Sequence, residues 1–332
     1  MLSNRSTLLH LIDQGHLPPE HAERAMSAVG VFPDKDAWTQ FIGRLLLWLG
    51  VLATVLGVVF FVAFNWDILG KIGKFALVQT LLILSLLPLM WRDRFTVIGK
   101  LSLLTASMVT GVLLALFGQT YQTGADTWQL FATWALLIVP WVWLARFEVL
   151  WLVWIGIINV ALVLYYSLFK LPFGLYAAEE LGLALVMLIF NGTATILWEY
   201  TLRHHPLSSR NGVRILAAGT GVAATAVGLL AIFDSHSIFD RHFSDGVWWL
   251  VWLGWFGLHC GFYRQVLRDL LMLTAGCLSA IVILMSFAGK HIVGFRFEAG
   301  GLFVMAFMLL LAGSGAAVWL RHTAQKWEGD HA

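Results

Sequence analysis

From Phe41 onwards, apolar blocks of about twenty residues alternate with short polar gaps along the chain. A block of that length is what an α-helix needs to cross a hydrocarbon core of roughly 30 Å. Lipid cannot hydrogen-bond backbone polar groups, so each block is expected to be helical. The pattern therefore predicts an all-α integral membrane protein, a polytopic bundle of about ten transmembrane helices. The predicted spans are Leu45–Phe64, Ile72–Met90, Val97–Gly118, Trp128–Leu144, Val149–Phe169, Leu181–Trp198, Ile215–Phe233, Val247–Phe262, Leu270–Phe287 and Leu302–Leu320.

The charges in the gaps predict how these spans are oriented. Lys and Arg concentrate in the cytoplasmic loops of membrane proteins. With the N-terminus in the cytoplasm, 15 of the 21 Lys and Arg residues lie inside and 6 lie outside. The outside set is Lys71, Lys74, Lys170, Arg241, Lys290 and Arg296. Because the number of spans is even, both termini are expected in the cytoplasm.

Composition supports a membrane protein and argues against other classes. Hydrophobic residues make up 59% of the 332 residues and charged residues only 12%, whereas soluble domains carry about 25% charged residues. The net charge of +2 is small, and the Lys and Arg residues form no basic stripe, so no nucleic-acid partner is expected. Cys260 and Cys277 lie inside apolar blocks and provide neither a metal quartet nor a disulfide framework. No cofactor is expected, and the lipid bilayer is the expected partner.

Residues 1–40 differ from the rest of the chain. They lack the apolar core and cleavage site of a signal peptide, so the first span is expected to act as both targeting signal and anchor. Ser3 and Pro19 can begin two helices on either side of the Gly15–Pro18 break. We predict a cytoplasmic helical hairpin at 1–40 and a transmembrane domain at 41–332. The hairpin either caps that domain or docks a protein partner or a second copy in a homo-oligomer.

A weak internal repeat is present in the apolar blocks. Gly50–Gly57 resembles Gly221–Gly228, and Leu103–Ser107 resembles Met272–Gly276 at nearly the same offset. In the predicted topology all four segments run from inside to outside. This pattern suggests a parallel repeat of spans one to three with spans seven to nine, an arrangement known in transporters.

Polar side chains collect in the gaps that are predicted to face outwards. The candidate ligand-binding residues among them are Asn65, Asp67, Gln119, Tyr121, Gln122, Asp126, Glu179 and Glu180. The gap Gly118–Trp128 contains no Lys or Arg, and Asp126 is placed to cap the following helix. Two interpretations stay open for this gap: a re-entrant or vestibule-lining loop that holds a polar ligand, or an ordinary capped turn at the membrane interface.

The adjacent carboxylates Glu179 and Glu180 begin the sixth span. They point about 100° apart on a helix, so at most one can face the interior of the protein. An inward Glu would be a candidate proton or cation carrier, since ionisable groups at membrane depth are costly and usually functional. Alternatively, both lie in headgroup water at a helix N-terminus, where negative charge is favourable.

The remaining polar residues give weaker signals. His236, His242 and His291 lie in outer gaps without the spacing of a metal-binding helix, so no metal site is expected. Within the spans, the isolated polar residues are Gln79, Asn159, Asn191 and His259. Hydrogen bonds between helices explain these without any transport role.

A family resemblance rests on three features. Asn65-Trp66-Asp67 follows the first span, a small helical segment precedes it, and the Gly118–Trp128 gap continues into Leu130-Phe131-x-x-Trp134-Ala135-Leu136-Leu137-x-x-Pro140-Trp141. Together they resemble the bacterial predicted membrane proteins of domain-of-unknown-function family two-one-five-seven, over residues 8–168. The resemblance implies a multi-pass protein of the bacterial inner membrane. It implies no reaction, substrate or cofactor.

Three functions are compatible with these features. The preferred one is a transporter or permease-like protein for a small polar or amphipathic solute, with a polar vestibule facing the periplasm. The second is an envelope enzyme or flippase accessory that handles a lipid-linked or glycan substrate, with Tyr121, Asp126, Glu179 and Glu180 as candidates. No sequence motif identifies catalytic residues. The third is a non-catalytic scaffold or sensor whose N-terminal hairpin docks a partner.

Overall fold

The computed structural model describes residues 35–65, 70–122, 124–169, 179–204, 210–233, 244–293 and 299–329, with isolated positions among residues 12–25. Most of the predicted hairpin at 1–40 therefore lies outside the described residues. The chain divides into two compact units, Met1–Tyr121 (unit 1) and Gln122–Ala332 (unit 2). The predicted division at residue 40 and the predicted internal repeat stay predictions.

Unit 1 consists of helices joined by turns in its described part. Its helices are α1 Lys35–Phe64, α2 Lys71–Leu86, α3 Pro88–Trp91 and α4 Val97–Tyr121. The chain breaks between α2 and α3 just before Pro88, because proline has no N–H and its ring collides with the preceding helical turn. Thr96 caps α4, since its Oγ1 accepts a hydrogen bond from the Gly99 N–H at 3.1 Å.

The core of unit 1 lies between α2 and α4. Val78 of α2 packs against Val109 and Leu116 of α4, and all three are buried. Phe75, near the start of α2, lies with its ring centroid 5.8 Å from that of Tyr121 at the end of α4. The two helices are therefore antiparallel, and α1 reaches their core through Val58.

Unit 2 is also helical in its described part. Its helices are α5 Thr127–Ala145, α6 Glu148–Leu168, α7 Glu179–His204, α8 Arg210–Phe233, α9 Ser244–Gln265, α10 Leu270–Ala288 and α11 Ala299–Gly329. A π-helical segment, Gly289–Val293, prolongs α10. Within it, the ammonium group of Lys290 donates to the carbonyl of Ile232 near the end of α8, which satisfies one of the carbonyls left open at a helix C-terminus.

Helix α8 is the centre of unit 2 and packs against α6, α7, α9 and α10. Its buried face carries small residues such as Ala217, Ala224 and Gly228, which let neighbouring helices approach closely. A Cβ atom on Gly228 would lie 2.7 Å from Ile283 Cδ1 of α10. The close contact of α8 with α10 at this point therefore depends on glycine.

The described residues contain nine helical stretches long and apolar enough to cross a membrane. Large apolar side chains remain on their surfaces, including Phe64 at 89% and Ile72 at 86% exposure. Extensive apolar surface of this kind suits lipid rather than water. The predicted class, an all-α polytopic membrane protein, is confirmed. The remaining predicted span, Val247–Phe262, is not among these nine stretches, although it forms part of α9. Four tryptophans and His259 lower the mean hydropathy of this helix.

Three helices extend beyond their apolar blocks. Helix α1 begins at Lys35 instead of Leu45, α7 continues past Trp198 to His204, and α11 continues past Leu320 to Gly329. Hydropathy identifies the part of a helix that lies in lipid, whereas the helix itself continues until a residue stops it. No proline occurs in these extensions, so the polar ends stay helical.

Candidate functional site

The unit 1 members of the predicted outer set lie at the end of α1 and the end of α4. Asn65 closes α1, where its Nδ2 donates to a backbone carbonyl one turn earlier at 2.9 Å. Gln119 and Tyr121 are exposed near the end of α4. The ring of Tyr121 packs against Phe75 and lies 5.8 Å from Lys71 Nζ. Tyr121 is thus held between an aromatic ring and a cation.

The unit 2 members lie directly after α4 and at the starts of α5 and α7. Gln122 is exposed and adopts a left-handed backbone with φ of 45°. Asp126 occupies the position before α5 with an extended backbone, but its side chain makes no capping hydrogen bond, so the predicted cap is wrong. Glu179 and Glu180 begin α7, but their side chains lie outside the described part of the chain, as does all of Asp67. A shared ligand site for this set stays a prediction.

A different polar site lies near the ends of α7 and α9. A cavity of about 440 Å³ opens between α7, α8 and α9, and is named here the α7–α9 cavity. Its lining residues are Gly192, Thr195, Ile196, Glu199, Tyr200, Ala217, Thr220, Trp255, Leu258, His259, Phe262 and Tyr263. The volume and the lining of this cavity are typical of small-molecule sites. Such sites have volumes of about 300–1,000 Å³ and combine apolar and aromatic walls with a few polar groups.

Glu199 is the carboxylate of this cavity. The residue is 5% exposed, and its Oε1 accepts a hydrogen bond from the hydroxyl of Tyr263 at 3.2 Å. Nη2 of Arg210 lies 3.8 Å from the same oxygen, although Arg210 is not among the lining residues. A buried carboxylate needs such partners, because desolvation of an unpaired charge is costly.

The other polar side chains of the cavity bond within or between helices. Thr195 of α7 and Thr220 of α8 bring their hydroxyl oxygens to 3.1 Å. Nε2 of His259 lies 2.9 Å from the carbonyl oxygen of Met272 in α10; a carbonyl can only accept, so this nitrogen carries the proton. The His259 ring also stacks on Trp255 at a centroid distance of 5.0 Å. These bonds fix the orientation of the polar groups on the cavity wall.

Three of the four isolated polar residues within the spans form hydrogen bonds between helices, as predicted: Asn159, Asn191 and His259. Asn159 of α6 and Asn191 of α7 exchange amide hydrogen bonds of 3.1 Å and 2.7 Å. The His259 bond to Met272 has the same character, linking α9 to α10. Gln79 lies on an exposed part of α2. Such bonds contribute on the order of 1 kcal/mol each in a membrane.

Beside the cavity, two arginines converge on one aspartate. Asp269 precedes α10, and its Oδ2 accepts from Nη2 of Arg210 at 3.0 Å and from Nη2 of Arg214 at 3.2 Å. Its Oδ1 accepts from the Leu271 N–H at 3.2 Å, which caps α10. We call Arg210, Arg214 and Asp269 the arginine–aspartate cluster. It joins the start of α8 to the start of α10.

The arginine–aspartate cluster controls the ionisation of its carboxyl group. Burial of Asp269 on its own raises the pKa of the carboxyl group, but the hydrogen bond from Arg210 and the charges of Arg214 and Arg210 outweigh burial. The pKa of Asp269 therefore lies below its ordinary value. The carboxylate stays ionised at neutral pH and holds both arginines.

A further carboxylate fixes the same end of unit 2. Glu148, at the start of α6, accepts a hydrogen bond from the Gly212 N–H in the first turn of α8. A Cβ on Gly212 would collide with Oε1 of Glu148 and would lie 2.9 Å from Cζ2 of Trp198. Negative charge is favourable at a helix N-terminus, and glycine leaves room for it. Glu148 contacts α8 without lining the α7–α9 cavity.

Metal-ligand clusters are absent from the described part of the chain. No group of three or more His, Cys, Asp or Glu side chains there could hold a metal ion. The ring of His291 contacts the ring of Phe287, at a centroid distance of 4.6 Å. His236 and His242 fall outside the described residues.

Sequence reasoning did not select Glu199, although a signal for it exists. Asn191, Thr195 and Glu199 follow one another at intervals of four residues, which places them on one face of a helix. His259 and Tyr263 have the same spacing on α9. Polar stripes of this kind on two helices indicate a buried polar seam. Glu199 lies just past the predicted end of its span, where hydropathy assigns it to a polar gap.

Comparison with known proteins agrees with the family resemblance. A family model described as "Predicted membrane protein (DUF2157)" matches residues 10–151. The predicted resemblance is confirmed over this part of the chain. Neither the curated proteins nor the solved structures contain a significant match.

Proposed function

We propose that this protein is a permease-like carrier of the bacterial inner membrane, and that the α7–α9 cavity binds an amphipathic cation. The observation that supports this proposal is the Glu199 carboxylate, 5% exposed, on the wall of a cavity of about 440 Å³. Ionisable side chains at membrane depth are costly and are usually retained for transport or proton movement.

The chemistry of the lining favours a cation with an apolar body. Glu199 is the carboxylate among the lining residues, and no lysine or arginine belongs to that lining. Trp255, Phe262 and Tyr263 add aromatic rings, whose faces attract a cation by about 0.5–2 kcal/mol. Leu258 and Ile196 supply apolar wall. A quaternary ammonium carried by a phenyl ring combines these features.

The proposed orientation places this cavity towards the cytoplasm. With both termini inside, as the distribution of Lys and Arg predicts, α7 runs inwards and Glu199 lies near its inner end. The predicted outer residues, including Asp126 and Glu179, would then lie at the periplasmic entrance of the route. We infer that Asp126 and Glu179, both in unit 2, receive the solute before it reaches Glu199.

Uptake into proteoliposomes tests the proposal. Full-length protein is reconstituted, and entry of radiolabelled benzyltrimethylammonium is measured under an inside-negative potential, with benzenesulfonate as the anionic counterpart. Uptake of benzenesulfonate is measured under an inside-positive potential of equal size, so that each ion is driven inwards. We expect protein-dependent uptake of the cation alone. Glu199→Gln should reduce it by about tenfold, the effect of losing one ion pair worth about 1.4 kcal/mol. Asp126→Asn and Glu179→Gln should slow entry if the outer set forms the entrance.

Glu148→Gln is the matched control for Glu199→Gln. Both substitutions replace a carboxylate by an amide at the same end of unit 2, but Glu148 does not line the cavity. The control should retain most of the uptake. Absence of cation uptake by the unsubstituted protein, or an equal loss in both variants, would contradict the proposal.

A further inference from the structure

The wall of the α7–α9 cavity carries hydrogen-bond acceptors that still have room for a donor from a solute. We propose that these acceptors make the cavity selective for a primary ammonium on an apolar body over a quaternary ammonium on the same body. We further assign His259 as the residue that determines this preference. The inference rests on the proposed function, because it concerns the same cavity and the same class of solute.

Glu199 provides the first acceptor. Its Oε1 accepts from the Tyr263 hydroxyl at 3.2 Å and lies 3.8 Å from Nη2 of Arg210. Oε2 of Glu199 has no hydrogen-bond partner within the described residues. A carboxylate has about four lone-pair sites on its two oxygens. A solute in the cavity therefore meets a carboxylate whose capacity to accept is only partly used.

The orientation of the His259 ring is fixed by α10. Its Nε2 donates to the carbonyl oxygen of Met272 at 2.9 Å, and a Cβ on Gly276 would lie 3.3 Å from its Cδ2. The Cδ2–Nε2 edge of the ring therefore faces α10. In the imidazole ring, the atom opposite this edge is Nδ1. Because His259 also lines the cavity, Nδ1 is the nitrogen that remains for a solute.

Nδ1 of His259 is an acceptor. In a neutral imidazole whose Nε2 carries the proton, Nδ1 keeps a lone pair. The charged form would need a second acceptor for an Nδ1–H, and none bonds this nitrogen within the part of the chain that the structure describes. Unpaired charge is costly in a buried site. The ring is buried, with Trp255 and Tyr263 at centroid distances of 5.0 Å and 4.9 Å, so the neutral form is favoured.

Two threonine hydroxyls add further lone pairs to the wall. Oγ1 of Thr195 lies 2.7 Å from the carbonyl oxygen of Asn191. Oγ1 of Thr220 lies 2.9 Å from the carbonyl oxygen of Leu216, and the two hydroxyl oxygens are 3.1 Å apart. Only two hydrogens serve these three contacts, because carbonyl oxygens cannot donate. The hydroxyl oxygens therefore keep lone pairs that a solute N–H can use.

Aromatic walls alone would select the opposite cation. A primary ammonium is hydrated through three N–H groups and loses more on leaving water than a quaternary ammonium does, whereas aromatic faces attract both. Acceptors on α7, α8 and α9 replace the lost water for the primary ammonium. The methyl groups of a quaternary ammonium would cover these acceptors without pairing them, which is costly. Both cations carry one positive charge, so the comparison does not depend on the net charge around Glu199.

Isothermal titration calorimetry of the full-length protein in detergent tests the inference. Benzylammonium and benzyltrimethylammonium are titrated separately at about pH 8, where an ordinary imidazole is neutral and an alkylammonium is still mostly protonated. We expect benzylammonium to bind at least about tenfold more tightly. Equal affinities, or tighter binding of the quaternary cation, overturn the inference and leave the proposed function standing. Binding of neither cation contradicts the proposed function, and this inference with it.

Two variants of His259 separate its acceptor from its structural bond. In His259→Gln the amide nitrogen can reach the Nε2 position and donate to Met272, but no acceptor occupies the Nδ1 position. In His259→Asn the amide oxygen lies near the Nδ1 position, while the bond to Met272 is lost. We expect His259→Gln to lower the affinity ratio of the two cations by about fivefold, and His259→Asn to keep the ratio. A purely structural role would weaken both cations together and leave the ratio unchanged.

His291→Gln is the matched control, because it makes the same substitution at a ring that contacts Phe287 and does not line the cavity. It should leave the affinity ratio unchanged. An unchanged ratio in His259→Gln overturns the assignment of His259. So does an equal fall in His259→Gln and His259→Asn, or an equal fall in His259→Gln and the control.

Discussion

Replacing Asp269 by asparagine tests whether the arginine–aspartate cluster stabilises unit 2. Asparagine keeps the side-chain oxygen that accepts from the Leu271 N–H, so the cap of α10 survives. It loses the negative charge between Arg210 and Arg214, and the oxygen that accepts their hydrogen bonds is replaced by an amide nitrogen, which cannot accept. The substitution therefore isolates the ion pairs from the helix cap.

The expected loss of stability lies between two limits. Breaking a fully buried ion pair costs about 3–5 kcal/mol, while exposed pairs contribute up to about 1 kcal/mol. The Asp269 side chain is 4% exposed, whereas the two arginines are 38% and 36% exposed and partly screened by solvent. We expect Asp269→Asn to lower the free energy of unfolding by about 2 kcal/mol. For a domain of roughly 150–250 residues this corresponds to a fall in Tm of about 4–8 °C.

The assay is thermal unfolding in detergent, followed by circular dichroism. Asp93→Asn is a close control, because Asp93 also accepts a hydrogen bond at 3.2 Å from the N–H two residues ahead but is exposed on the α3–α4 turn. That variant should unfold within about 1 °C of the unsubstituted protein. An equal Tm change in the two variants would refute the reasoning, since the arginine contacts would then contribute no net stability.

The same prediction has a pH dependence with a definite sign. Because the pKa of Asp269 is lowered in the folded protein, its stabilisation is present above its ordinary pKa of 3.8 and is lost as the pH falls through the lower folded value. The Tm difference between unsubstituted protein and Asp269→Asn should persist at about pH 5 and narrow only below 3.8. A difference that widens with acid would contradict the assigned direction.

Two other predictions concern unit 1 and the orientation of the chain. A Cβ on Gly99 would lie 2.5 Å from the backbone oxygen of Asp93. Gly99→Ala should therefore lower the free energy of unfolding by about 1–3 kcal/mol in the same thermal assay. Gly156→Ala is the control, because a Cβ there meets open space, and it should leave the protein as stable or slightly more stable. In a chain whose native cysteines are replaced by alanine, Ala125→Cys should react with an impermeant maleimide added to the periplasmic side. Labelling only after the inner membrane is permeabilised would invert the proposed orientation.

The all-α polytopic class could be predicted from the sequence because lipid imposes one dominant constraint. Every apolar block must pair its backbone internally, and a helix is the way a single segment does so. Helix ends followed a different rule. Lys35 and Gly329 lie outside the apolar blocks, so hydropathy contains no information about them. Asp126 shows the limit of local rules: the residue reaches the capping position, but its side chain does not bond the helix.

The polar cavity could not be predicted from single spans, because its groups are placed by packing. Glu199 becomes buried only when α8 and α9 cover α7, and its partners Tyr263 and Arg210 come from both of those helices. A hydropathy profile records Glu199 as a charge at the end of a block. The spacing of Asn191, Thr195 and Glu199 carries the missing information, since three polar groups on one helical face require partners when that face is buried.

Arg210 connects the α7–α9 cavity to the arginine–aspartate cluster. Its Nη2 lies 3.0 Å from Oδ2 of Asp269 and 3.8 Å from Oε1 of Glu199, so one guanidinium is shared by two carboxylates. A cation in the cavity would compete with Arg210 for Glu199 and leave the guanidinium more available to Asp269. Binding of the proposed cation would therefore favour the contact that joins the start of α8 to the start of α10.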